Sequence, residues 1–277
     1  MLPEEAAGMM RGEPGTDVTV TIAREGQEPF DVTITREVIA LTSVRSRILI
    51  PGYAYIRISQ FRVNTGDDLE AEIEELFEEH GELKGIILDL RNNPGGVLQA
   101  SVRVVDSFIS EGRIVYTEGR LEEVGMEFSA TQKNVAGDVP MVVLINNGSA
   151  SASEIVAGAL QDHGRAIIMG TRSFGKGSVQ TVLPLAEKRA IKLTTSLYYT
   201  PNGRSIQAQG IEPDIIVDEA FVTRRSTRVT QYNESDLRGH LANGNGEEEP
   251  SHDMAAALIA AEEVLVNDYP LNEALNV

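Results

Sequence analysis

Between residues 16 and 37 apolar and polar positions alternate in two runs, TDVTVTIAR and FDVTITRE, on either side of the turn EGQEP. A period of two sends successive side chains to opposite faces, so each run predicts a half-buried strand and the pair a hairpin. Ahead of them PEEAAGMMRG predicts a short helix, stopped by the turn Glu13, Pro14, Gly15. The segment ITREVIALTSVRSRILIPG is expected to connect this unit to a further strand, GYAYIRISQF. The period then changes. Over residues 67–80 Leu69, Ile73, Leu76 and Phe77 recur at helical spacing on an acidic background, which predicts an amphipathic helix.

Next, Ile86, Ile87, Leu88 and Leu90 form a nearly unbroken apolar run that stops at Asn92, Asn93, Pro94, Gly95 and Gly96. Such runs suit strands buried on both faces. VLQASVRVVDSFI then reads as a helix, PMVVLINNGS as a second buried strand, ASEIVAGALQDHG as a helix and RAIIMG as a third strand. Alternating strands and helices predict a layered α/β core. After Gly177 the chain turns β-rich, with VQTVLPL, AIKLTTSLYYT and the turn PNGR. From about Asp218 the pattern fades into an expected exposed linker. A helix over residues 253–266 and the piece DYPLNEALNV close the chain, and no internal repeat is visible.

With 277 residues, 42% of them hydrophobic, the chain can bury a sizeable core. Its 24 basic and 42 acidic residues give a net charge of −18, which argues against a nucleic-acid partner. No run approaches the roughly 18 apolar residues of a membrane span. MLPEEAAGMM lacks the basic and apolar regions of a signal peptide, so the chain is expected to carry no address of its own. The absence of cysteine excludes disulfides and thiolate chemistry and leaves only His and carboxylates for any zinc site.

Two features compete for the chemistry. In GTRSFGKGSVQ, residues 170–180, Gly170, Gly175 and Lys176 have the spacing of a phosphate loop, but Gly177 stands where such a loop needs Ser or Thr for Mg²⁺. The β-branched VQTVLPL follows instead of a helix, and the apolar strand ending in Asp89, which could mimic a magnesium-binding strand, comes before the loop rather than after it. Neither nucleotide nor metal is expected. The second feature is NNGSASASEIVAGAL, a buried strand running into a helix, with Glu154 three residues after Ser151 as in a capping box. The serines could merely cap the helix. A strand-turn-helix junction is also how a nucleophilic serine is presented, with helix-start amides available to an oxyanion. Spacing does not choose among Ser149, Ser151 and Ser153.

A serine nucleophile needs a base. His80, His163, His240 and His252 all read as solvated surface residues. Lys176 is the better candidate, because no acidic residue lies between Asp162 and Glu187. With Phe174 and Val179 nearby, desolvation is expected to favour the neutral amine. Gln180, four residues on, can orient that amine without adding charge.

Together, GYAYIRISQF, ILDLRNNPGG, NNGSASASEIVAGALQDHGRA, GTRSFGKGSVQTVLPL, KLTTSLYYTPNGRSIQAQGIEPDI and DYPLNEALNV resemble the carboxyl-terminal processing peptidases, or tail-specific proteases, over essentially the whole chain. The resemblance implies a Ser-Lys dyad with the serine twenty-five residues before the lysine, hence Ser151 as nucleophile, Lys176 as general base and Gln180 as orienting third member. It also implies an oxyanion hole of the Ala152 amide and a glycine of Asn93-Pro94-Gly95-Gly96, taken as Gly96. The implied fold is a layered α/β protease core of crotonase or Clp-protease-like βα units over residues 38–218. It would be preceded by the C-terminal half of a PDZ domain over residues 1–37 and followed by a linker and helical tail over residues 219–277. Residues 2–11 would be the groove helix of that PDZ module. Its first half, the family's N-terminal helical segment and an export signal are absent, so the sequence is expected to be a fragment or to have a misassigned start. Implied partners are protein substrates with unstructured apolar C-termini, with room for an adaptor protein and a homo-oligomer. The implied compartment is the cell envelope, on the periplasmic side, and no cofactor is required. The alternative is an inactive peptide-binding module.

Overall fold

The computed structural model describes residues 3–24, 26–38, 42–120, 125–185, 189–218 and 268–277. The chain divides into two units, Met1–Thr42 and Ser43–Val277. In the first, helix α1 (Pro3–Met10) precedes strands β1 (Asp17–Ile22) and β2 (Phe30–Thr35). The strands pair antiparallel from Asp17 opposite Thr35 to Ile22 opposite Phe30, the hairpin that the alternation predicts. Arg36 ties its ends to the helix: Nε donates to the Met10 carbonyl at 2.8 Å, and Nη1 donates to Thr16 Oγ1 at 2.8 Å and to the Asp17 carbonyl at 3.0 Å. A cationic side chain thereby satisfies a carbonyl at the helix C-terminus.

The second unit is built on two sheets. Strands β3 (Val44–Ile50), β4 (Tyr53–Ile58), β5 (Gly85–Asp89), β8 (Met141–Ile145), β9 (Ile167–Gly170) and β12 (Ile215–Ile216) form one in the order β12-β9-β8-β5-β4-β3. All neighbours are parallel except β3, which pairs antiparallel with β4 at the edge. β5 and β8 are buried at every position, as their unbroken apolar runs require. Their side chains alternate between two cores. Ile86, Leu88 and Val143 face one that includes Ile73 of helix α2 (Thr65–His80), Val104 of α3 (Leu98–Asp106) and Ile155 of α4 (Ala152–Asp162). Ile87, Val142 and Leu144 face the other, which is closed by Leu271 and Ala274 of the C-terminal helix α5 (Tyr269–Ala274).

The other sheet, in the order β10-β11-β6-β7, is antiparallel throughout and comprises β6 (Arg113–Gly119), β7 (Glu127–Ser129), β10 (Ser178–Pro184) and β11 (Ala190–Tyr199). Tyr116 of β6 stacks on Tyr199 of β11 with ring centroids 5.2 Å apart.

The layered α/β core expected from the sequence is present. β3, read as part of a connection, is a strand whose Arg45 points to solvent, and β6, β7 and β12 carried no expectation. The expected linker and the helix over residues 253–266 lie outside the described residues, whereas DYPLNEALNV is described and folds as α5. The parallel sheet places the site. β9, β8 and β5 are neighbours, so the loops leaving their carboxyl ends, residues 171–177, 146–151 and 90–97, emerge side by side, where open α/β sheets gather ligand-binding groups.

Candidate active site

The three serines after β8 separate by their hydrogen bonds. Ser149 is fully buried; its hydroxyl donates to the Leu90 carbonyl at 2.8 Å and accepts the Asn146 amide at 3.0 Å. Ser153, equally buried, donates to the Asn93 carbonyl at 2.9 Å. Both fasten this junction to the β5 loop. Ser151 is half-buried and stands at the N-cap of α4, where its side chain faces the Glu154 amide in a capping box but makes no cap hydrogen bond to it. The Glu154 amide takes the Ser151 carbonyl at 2.9 Å instead. Ser151 also has φ +57° and ψ −111°, a conformation costly for a residue with a Cβ.

Glu154 is the hub. Its carboxylate is fully buried and accepts the Ser151 amide (2.7 Å) and the Lys176 amide (2.9 Å) on Oε2. On Oε1 it accepts the Gly175 amide (2.6 Å) and the Ser173 hydroxyl (2.6 Å). Four donors converge on one carboxylate and join the start of α4 to the loop after β9. The capping-box spacing marked Glu154 in the sequence, but its partners in the lysine loop, some twenty residues downstream, carried no signal there.

The loop after β5 packs against the same junction. The Asn93 side chain, fully buried, donates to the Ile58 carbonyl at 2.8 Å and accepts the Gly95 amide at 2.9 Å, while its own carbonyl takes the Ala150 amide at 3.0 Å. Gly95 (φ +93°) lies so close that a Cβ there would stand 2.8 Å from Ser151 Cβ and 2.9 Å from the Ala152 nitrogen. Gly96 (φ +149°) meets the Phe61 backbone, where a Cβ would come within 2.0 Å of the carbonyl oxygen. Hydrogen bonds run from Phe61 N to Gly95 O and from Val97 N to Phe61 O, which leaves the Gly96 N–H out of that ladder. The Ala152 amide, at the first helical position, has no intrahelical acceptor.

The lysine loop corrects two expectations. Lys176 is exposed, and Phe174 beside it is 68% exposed, so the expected desolvated setting is not formed around the amine. The stretch is free of acid in sequence but not in space, because Glu154 arrives from α4 to hold the loop's amides. Gln180 is exposed and sits at a β-bulge between Val179 and Gln180, paired with Thr194, and among the described residues no hydrogen bond links Ser151, Lys176 and Gln180. The bulge rotates the strand within the four-residue spacing on which the expected bond depended.

The same loop is unsuited to phosphate. Its successive amides are taken: Ser173 by the Ile211 carbonyl, Phe174 by the Ser149 carbonyl, Gly175 and Lys176 by Glu154, and Gly177 by Gln207 Oε1 at 3.1 Å. A strand follows it, not a helix. Asp89 is fully buried; Oδ2 accepts from Tyr55 (2.7 Å), Arg57 (3.0 Å) and Arg91 Nη2 (2.7 Å) and Oδ1 from the Arg91 amide (2.9 Å) and Nε (3.0 Å), so it offers no open oxygen to a metal. Burial and then Asp89 push the Tyr55 hydroxyl up to about 12, which keeps it a donor. His80 and His163 are exposed, the latter against the Arg113 carbonyl at 2.7 Å, and His240 and His252 lie outside the described residues.

Residues 52–217 match the sequence model of peptidase family S41. The chain is 45% identical over 273 residues to a carboxy-terminal-processing protease of Bartonella bacilliformis, covering 98% of this chain and 62% of that one. It is 40% identical over 225 residues to a carboxyl-terminal-processing protease of Synechocystis sp., covering 79% and 52% respectively. Among solved structures, the photosystem II D1 C-terminal processing protease superposes with a TM-score of 0.58 at 31% identity, over 75% of this chain and 57% of that one. The chain thus spans less than two thirds of the length of each of these relatives.

Proposed function

Because the chain belongs to peptidase family S41, we propose that it carries the catalytic part of a serine endopeptidase that cuts proteins near their C-termini, with Ser151 as nucleophile and Lys176 as base. One observation carries the assignment: of the three serines at the β8–α4 junction, Ser151 alone is not fully buried and makes no hydroxyl bond to the β5 loop, and it sits on a strained turn at a helix start. Ser151 Oγ attacks the scissile carbonyl while the Lys176 amine takes its proton. The oxyanion falls beside the Ala152 amide and the uncommitted Gly96 amide. Lys176 then protonates the leaving amine, and water repeats the sequence to release the acyl group. Only the neutral amine can act as base. Since Lys176 is exposed, bound substrate supplies the cover that removes its water, and Gln180 orients the amine once it is covered.

Helix α1 and the β1–β2 hairpin serve in this reading as the second half of a PDZ module. Substrates are proteins with unstructured apolar C-termini, in the cell envelope on the periplasmic side, with an adaptor or a second copy as further partners. No helix among the described residues is long and apolar enough to cross a membrane. The test is cleavage of casein and of an apolar tail peptide by this chain and by a version extended at its N-terminus, read by mass spectrometry. Loss of cleavage in both Ser151→Ala and Lys176→Ala is expected; wild-type turnover in either variant would overturn the dyad.

A further inference from the structure

Arg91 stands at the entrance to the 90–97 loop and uses both edges of its guanidinium. Nε and Nη2 donate to Asp89 Oδ1 (3.0 Å) and Oδ2 (2.7 Å); Nη1 and Nη2 donate to Asp268 Oδ1 and Oδ2, each at 2.7 Å. Asp268 lies 177 residues further along the chain, at the start of α5. The side chain of Arg91 is 11% exposed and that of Asp89 is not exposed at all. Arg57 also pairs with Asp89 and donates to the Arg91 carbonyl at 3.2 Å. Two guanidiniums around Asp89 alone would leave one positive charge in excess and Nη1 of Arg91 without an acceptor. Asp268 balances the charge and satisfies Nη1, in the bidentate geometry that fixes a guanidinium most firmly.

From Arg91 the chain passes directly into the loop. Asn92 (φ +57°) donates its amide to Asn146 Oδ1 at 2.9 Å, and Asn93 holds Ala150 and Ser153, the residues that flank Ser151 together with Ala152. The loop is therefore pinned at its far end by the Phe61 backbone, in its middle by Asn93 and at its near end by Arg91, whose orientation depends on a carboxylate from the C-terminal segment. Leu271 and Ala274, 1% and 5% exposed, anchor that segment against the sheet.

We propose that Asp268 is a positioning residue: through its two-point pair with Arg91 it holds the 91–97 loop against Ser151, so that the docked C-terminal segment is a working part of the active site. The proposal rests on the assignment of that loop to the oxyanion site. It implies that whatever pulls or trims residues 268–277 away from the sheet lowers activity without touching Ser151 or Lys176.

The discriminating variant is Asp268→Asn. Asparagine caps a helix as well as aspartate does, so the acceptor for the Leu271 amide is kept while the charged fork to Arg91 is lost. Two measurements are made on the full chain: hydrogen exchange of residues 91–97, and kcat and KM for a tail peptide at a temperature well below unfolding. Expected are faster exchange in the loop and a fall in kcat of about tenfold with KM little changed, partly restored in Asp268→Glu. Unchanged loop exchange would overturn the proposal whether or not the chain cleaves peptides. A lower Tm with wild-type kcat and wild-type loop exchange would mark Asp268 as merely structural and overturn it as well. If the loop loosens while Ser151→Ala retains activity, the assignment of the nucleophile has failed, not the coupling.

Discussion

The main chains of Ser151 and Lys176 share one acceptor, Glu154 Oε2, at 2.7 and 2.9 Å. Two residues that must cooperate are thus indexed to each other through a buried carboxylate, before any contact between their side chains. Every one of the four partners of Glu154 is a donor, so replacing one oxygen by NH₂ sets donor against donor.

Glu154→Gln therefore loses at least one charge-assisted bond and leaves a buried donor unmet, at a cost of about 2–5 kcal/mol. Lower Tm is expected together with a fall in kcat/KM of at least about tenfold, measured on a tail peptide. Activity equal to wild type would show that the shared acceptor does not set the geometry.

Legibility in the sequence followed the range of the interactions. The β5 and β8 strands and the amphipathic α2 were readable because burial on one or two faces writes a pattern into consecutive residues, and the β1–β2 hairpin because its apolar and polar positions alternate, although β2 is exposed at every position but Val32. β3 was not, since Arg45 and Arg47 break the apolar run of this edge strand, and β6 and β7 were not, since β6 pairs with β11 far along the chain and the three-residue β7 pairs with β6. Ser149, Ser151 and Ser153 stayed equivalent in sequence because what separates them is a hydrogen bond to Leu90 or Asn93, some sixty residues upstream. The setting of Lys176 was misread for the same reason: an absence of nearby acids in sequence says nothing of Glu154 folding back from α4.

The two glycines of the β5 loop should fail differently. In Gly95→Ala the new methyl meets the Ala150 carbonyl oxygen at 2.6 Å, Ser151 Cβ and the Ala152 nitrogen, all at the reactive serine, so activity is lost first. In Gly96→Ala it meets the Phe61 carbonyl oxygen at only 2.0 Å, a far deeper overlap, so the fold suffers more. Differential scanning calorimetry beside peptide cleavage should give the larger drop in Tm for Gly96→Ala. The reverse order would contradict the packing described.

Substitutions at the three serines should separate structure from reactivity. Ser149→Ala leaves the Asn146 amide unpaired and the Leu90 carbonyl with the Asn93 amide alone, at about 1–3 kcal/mol, and Ser153→Ala costs about 1 kcal/mol. Both variants should still be labelled by a fluorophosphonate probe. Ser151→Ala should abolish labelling with Tm nearly unchanged, and Ser151→Gly should raise Tm by a few degrees, because glycine occupies φ +57° without the strain of about 1–3 kcal/mol. Labelling that survives in Ser151→Ala would place the reactive hydroxyl elsewhere.

Stability should fall on the acid side, and two carboxylates set where. Burial pushes the Glu70 carboxyl up, but hydrogen bonds from Arg103 (3.0 Å) and Lys133 (2.6 Å) outweigh it and hold it below the ordinary range. Burial likewise raises Asp268, and the Arg91 bonds more than reverse it. A carboxyl whose folded value lies below its unfolded one binds more protons in the unfolded state, so stability rises with pH across that interval. The contribution is complete above the unfolded values, about 4, and is lost as pH falls through the lower folded ones. A Tm that is flat from pH 7 to about 5 and then declines is expected. Glu70→Gln, neutral at every pH, should lower Tm at pH 7 by about 3–10 °C and make the acid decline shallower, because part of what acid removes is already gone. An equal decline in wild type and variant would mean that the Glu70 pairs do not contribute to it.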